Sequence, residues 1–264
     1  MRILNLTGIV FSLFMLMWGF NYSCSLIAPM SRTERLGESE LYQFGIEIAE
    51  NINKVDPSVF EDIQNSSADL ALINRSVEAQ VKARGIKVWG QPAFHSLRLN
   101  GKLRKLGIAG IYFPFTGQAY ADDTFLQSTL CFIRAHELSH AYGIASEAEA
   151  DFMGYLALYN CIVETEIHSM YYKFCADLEL LRSIRYQLNM MDDSLRLEID
   201  SRLHENVLAE LKAIKLNALD FPEYFPGLQS SVNDRYLKIM GVEEGVQNYD
   251  LFIDLAWDYH HSVE

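Results

Sequence analysis

His136-Glu137-Leu138-Ser139-His140 governs how the whole chain is read. On an α-helix, positions four apart share a face, so His136 and His140 point the same way and can grip one metal ion. Glu137 is offset from His136 by about 100°, close enough to touch a water on that metal without ligating it. Two imidazoles and a carboxylate leave one corner of a zinc tetrahedron open to water. The pattern predicts a zinc-dependent hydrolase, most simply a peptidase. A surface helix carrying two unrelated histidines is the bland alternative, and the flanking residues count against it. Residues 124–133 contain neither Pro nor Gly, and Asp122, Asp123 or Thr124 offers a helix N-cap. Leu126, Leu130, Ile133 and Leu138 supply that helix with a buried side.

A third ligand is expected just downstream. Gly143 suits a left-handed helix stop, and Ser146-Glu147-Ala148-Glu149-Ala150-Asp151-Phe152 reads as the capped start of a second helix. Glu147 and Asp151 then share a face, with Glu149 turned away. Glu147 is assigned to the metal, with Glu149 as the alternative, and Asp151 to orienting a ligand histidine through its other N–H. His168 and Tyr171 lie in the following helical stretch and are candidates to steady an oxyanion, whereas Tyr172 reads as aromatic packing. His95, His204, His260 and His261 have no partner at ligand spacing and read as surface or boundary residues.

The chain has 264 residues, 50% hydrophobic, enough for one sizeable core. Its net charge of −13 argues against nucleic acid as a partner. Cys24, Cys131, Cys161 and Cys175 show no CxxC spacing; Cys161 and Cys175 either pair or stay as buried thiols. Ile3 to Phe20 carries no charge and spans about 27 Å as a helix, enough for a bilayer core. Trp18 and Tyr22 suit an interfacial aromatic belt. A cleaved signal peptide or a lipoprotein at Cys24 is the rival, but Asn21-Tyr22-Ser23 is a poor cleavage site. The expected organisation is therefore a single-pass anchor over 1–22, a linker over 23–37 and one domain over 38–264. Arg2 biases the start to the cytoplasm and the domain to the outside.

Within that domain, Leu41 to Val55 and Ala68 to Ala83 have apolar residues at helical spacing. Leu103 to Tyr120 turns strand-like, and Pro114 marks an edge strand onto which an extended peptide could add. The alternative is that this segment merely packs beneath the zinc helix. The proline-free stretch from Phe115 to Asp220 reads as several helices broken near Asp192-Asp193-Ser194. A loop over Phe221–Gly227 precedes two short helices, around Asp234–Met240 and Tyr249–His260. The fold class expected is mainly α with a small β-sheet.

Several blocks carry a family resemblance: Trp18-Gly19-Phe20-Asn21-Tyr22, Gly110 to Gly117, His136 to Tyr155, and Asp234-Arg235-Tyr236-Leu237-Lys238 with Gly241, Gly245-Val246 and Tyr249. Together they resemble a bacterial family of membrane-anchored, zincin-like proteins catalogued as domain of unknown function 3810. The resemblance implies a metallopeptidase-type fold, with His136, His140 and a glutamate near Glu147 as ligands and Glu137 as acid/base. The chain departs from the family pattern at Gln118, where an acid is usual, and at Asp151, where Asn is typical. Arg134 stands where zinc helices are normally uncharged, and there is room for only one membrane segment before the Trp-Gly pair. The function expected is a zinc metallopeptidase acting on peptide or protein substrates, anchored in the bacterial membrane through residues 3–20. A non-catalytic zinc-containing envelope protein that binds peptides, or a zinc amidohydrolase acting on a cell-wall linkage, is the alternative.

Overall fold

Leu41, Phe44, Ile48 and Ile52 recur every three or four residues and are all buried, which is why Glu38–Ile52 folds as the amphipathic helix α1. The computed structural model describes residues 9, 12–14, 16–19, 21, 35–55, 70–161, 166–227 and 251–261. After α1 come α2 (Leu70–Ala83), β1 (Phe94–Leu97), the one-turn α3 (Lys102–Lys105), β2 (Gly110–Phe113) and β3 (Gln118–Asp122). Six longer helices follow: α4 (Gln127–Ala141), α5 (Glu147–Tyr159), α6 (Glu166–Met191), α7 (Asp193–Arg202), α8 (Glu205–Leu219) and α9 (Leu251–His261). The protein is mainly helical with one small sheet, as its sequence leads one to expect.

The sheet has the order β1-β3-β2, with β3 parallel to β1 and antiparallel to β2. Ala119 and Ala121 on β3 are fully buried, and their small side chains let the strand lie close over α4. β2 is an edge strand that stops before Pro114, as the missing amide of proline requires. The four residues of β1 contain His95 and Ser96 and show little alternation, so the sequence gives no warning of this strand.

α4 sits between the sheet on one side and α2, α5 and α6 on the others, and most of its residues are buried. Its start differs from expectation. No side chain caps it, and Leu126 stands at the N-cap. Asp122 is engaged elsewhere: it accepts hydrogen bonds from the Gly101 amide at 3.1 Å and from the Thr124 amide and hydroxyl at 3.2 and 2.8 Å. The end is as expected, with Gly143 at φ +99° and its amide bonded to the His140 carbonyl. α5 passes α4 so closely that a Cβ on Gly154 would stand 3.1 Å from the His136 backbone nitrogen.

The break expected after α6 is present: Asp192 caps α7 by accepting from the Ser194 amide at 2.8 Å. Cys131, Cys161 and Cys175 are free and buried, so Cys161 and Cys175 do not pair. His260 is one of the boundary residues expected, half-buried at the end of α9. It takes a hydrogen bond with the Tyr155 hydroxyl at 2.7 Å, and burial pushes its pKa down to about 4.

Among the described residues no helix is long and apolar enough to cross a membrane. Most of the proposed span, Tyr22, Cys24, most of the linker and the short helix expected over 234–240 lie outside the described residues. Trp18 is described, and it packs on the sheet. It is 7% exposed, with its ring 4.8 Å from that of Tyr112 on β2, an apolar partner that shields it from water.

Two consequences can be measured. Gly154→Val should part α4 from α5 and cost about 1–3 kcal/mol in urea unfolding; an unchanged midpoint would contradict this close approach. Asp177, buried beside the Tyr155 hydroxyl, has its pKa pushed up to about 7 by burial, against the pull of Lys173. The folded chain thus holds this proton more tightly than the unfolded one, where Asp titrates near ~3.9. Stability is therefore lost as pH rises from about 4 to about 7. Asp177→Asn should raise the melting temperature at pH ~8 and raise it less at pH ~5, whereas equal gains would refute that origin.

Candidate metal centre

The helix α4 delivers His136 and His140 one turn apart, and the first turn of α5 delivers Glu147 opposite them. Ser146 starts α5 by accepting the Glu149 amide at 3.4 Å, which fixes the direction in which Glu147 leaves the backbone. His136 Nε2 and His140 Nε2 lie 3.0 Å apart. Glu147 Oε2 stands 3.4 Å from the first and 3.6 Å from the second. These three atoms form the one grouping among the described residues that could hold a metal ion. A tetrahedral zinc with ligand bonds of about 2.0–2.1 Å has ligand–ligand edges of roughly 3.3–3.4 Å, close to the triangle observed.

The outer ring nitrogens determine what the inner ones offer. His140 Nδ1 donates to the Ile144 carbonyl at 2.6 Å, and His136 Nδ1 donates to Asp151 Oδ1, also at 2.6 Å. Both imidazoles therefore present Nε2 lone pairs to the centre when neutral, alongside a carboxylate oxygen. Groups so close together need positive charge between them, which protons on the imidazoles or a metal ion can supply. The titration behaviour has the same origin. Burial disfavours the charged form of His136 most strongly, but Asp151 and Glu147 outweigh it and raise the pKa well above the usual imidazole value. For His140, burial is again opposed, here mainly by Glu147, and the balance is a raised pKa. Burial pulls Glu147 upward, yet the two histidines bring its pKa down far below the usual carboxylate range.

Glu137 is buried beside this triangle, and desolvation raises its pKa while the histidines restrain the rise. Its carboxylate lies across Gly110 of β2: a Cβ there would come within 2.5 Å of Glu137 Oε1. Only glycine leaves that space. A cleft of about 640 Å³ opens over the group, with Gly110, Tyr112 and Pro114 along one side and Phe14 and Trp18 along another. Trp18 approaches His140 edge-on, with 6.1 Å between ring centroids. A larger hollow of about 1130 Å³ lies over α6 and α8 and touches none of the three converging residues.

His136, Glu137, His140, Glu147 and Asp151 are thus brought together as the spacing suggests. Glu149 is buried on α5 outside the triangle. His168 and Tyr171 do not line the cleft: Tyr171 is buried on α6 against Phe174 and Cys175, too far along the helix to face His136. The phenol that does line the cleft is Tyr112, which the alternation of Gly110-Ile111-Tyr112-Phe113 could have suggested. Trp18 as a wall had no signal beyond its aromatic character. Arg134, unusual on such a helix, is turned to β1, donating to Ser96 Oγ at 3.1 Å and stacking on Phe94.

No curated protein and no solved structure matches the chain. The family model described as protein of unknown function (DUF3810) matches residues 1–257, and the chain belongs to that family.

Proposed function

We propose that the protein is a zinc-dependent metallopeptidase of zincin-like architecture, anchored in the bacterial membrane through residues 3–20 with its domain outside the cytoplasm. The observation that carries this reading is the His136–His140–Glu147 triangle with Glu137 buried beside it. Zinc held by those three residues would supply Lewis acidity and a bound water acidic enough to react near neutral pH. Asp151 and the Ile144 carbonyl hold the imidazoles in the tautomer that exposes Nε2 to the metal. Glu137 accepts the proton of the attacking water and returns it to the leaving amine, a role suited to a carboxylate whose pKa burial has raised.

The edge of β2 not paired with β3 borders the same cleft. An extended peptide aligned there would have its backbone bonded to the strand and one carbonyl over the triangle. Tyr112, whose phenol burial keeps protonated, is the side chain along that edge able to donate to a developing oxyanion.

Metal analysis of the purified chain should find about one zinc per molecule in wild type and in Glu137→Gln, and little in His140→Ala. Hydrolysis of a broad peptide library should be lost in both variants. Zinc retained with no hydrolysis by wild type would refute the peptidase and leave a peptide-binding protein or an amidohydrolase of cell-wall linkages, which activity on cell-wall fragments would tell apart; full activity in Glu137→Gln would refute the role of the base. Gly110→Ala should push Glu137 aside and slow hydrolysis by about 100-fold with zinc content unchanged. An undiminished rate would mean that Glu137 does not work from the position it occupies.

A further inference from the structure

Phe14 and Trp18 belong to the charge-free stretch Ile3–Phe20, yet both line the cleft over the histidines. Phe14 lies six residues inside the far end of that stretch, about 9 Å along a helix. If the stretch occupies the bilayer, the mouth of the cleft cannot stand clear of it. The residues around that mouth fit such a position. From Leu106 to Ala121 the chain carries no charge, although 22% of all residues are charged. Within this run Ile111, Phe113 and Phe115 are exposed, the two phenylalanine rings lying 5.3 Å apart. A second groove meets the cleft at Trp18 and Tyr112 and is bordered by Met17, Lys87 and Trp89. Trp89 is 90% exposed, and Leu13, Leu16 and Met17 also present apolar surface. The acidic residues are confined to the floor of the cleft, at Glu137, Glu147, Asp151 and Glu179.

We propose that the face formed by Trp89, Ile111, Phe113 and Phe115 rests in the lipid interface, continuous with the N-terminal segment, so that the cleft opens along the bilayer surface. Exposed aromatic rings next to Lys87, with the nearby Glu78 paired to Lys82, match the headgroup region, where an apolar body and a polar rim are both accommodated. The substrate is then a peptide held at the membrane surface. The lipid contact rests on the anchoring proposed above and is independent of metal and of hydrolysis.

The full chain, reconstituted in phosphatidylcholine vesicles with and without brominated acyl chains, tests this through two fluorescence reporters. One is Trp89, read as the difference between wild type and Trp89→Phe, a change at an exposed position that leaves the core untouched. The other is position 115, read as the difference between Phe115→Trp and wild type. Both reporters should lose most of their emission in brominated vesicles. A chain that floats with the vesicles while either reporter keeps its full emission overturns the lipid contact and leaves the anchor standing. A chain that does not float overturns both. Unquenched reporters on a chain that cross-links as a dimer would assign the face to a second copy instead.

Discussion

Three electron pairs aimed at one point, two from imidazoles and one from a carboxylate, are the constraint around which the centre of this protein is organised. Their separations of 3.0–3.6 Å are too short for two imidazoles and a carboxylate to share without positive charge, from protons or a metal ion, between them. The surroundings hold them there. Asp151 and the Ile144 carbonyl take up the outer ring protons, and the packing of most of α4 against its neighbours restricts the rings to few rotamers. The close crossing at Gly154 sets how far α5, and hence Glu147, stands from α4. Relaxing any of these would open the triangle.

A second constraint acts through the sheet. β3 carries alanines where it meets α4, so β2 is drawn in until Gly110 touches Glu137. The strand that could receive a substrate backbone therefore also fixes the carboxylate that would act on it. Ile111 and Phe113, alternating outward from the same strand, give its other face an apolar character. Strand, base and outer surface are consequences of a single four-residue register against β3.

Much of this was legible in the sequence, and for a physical reason. The four-residue spacing of His136 and His140 and of Glu147 and Asp151 is local, and helical geometry converts local spacing directly into a shared face. The break at Asp192 and the helix stop at Gly143 are likewise local signals. Contacts between distant parts of the chain were not readable. Nothing in Phe94–Leu97 announces a strand, because its identity comes from pairing with β3. None of Asp122, Asp123 and Thr124 caps the helix: it starts later, at Leu126, and the Asp122 carboxylate is taken by the Thr124 amide and hydroxyl and by the Gly101 amide, distant in sequence. His168 and Tyr171 were drawn to the cleft by residue type alone, and packing on α6 directs Tyr171 elsewhere. Tyr112 took its place through strand pairing, and Trp18 reached His140 across more than a hundred residues.

That indole ring makes one of the first residues of the chain a wall of the cleft beside His140. A maturation cut behind Ser23, the rival fate of such a segment, would do more than release a free domain. It would strip Phe14 and Trp18 from the cleft, bare one side of His140 to water and weaken every charge interaction that dryness now strengthens. Release and a dry cleft would then be opposed outcomes of the same proteolytic event.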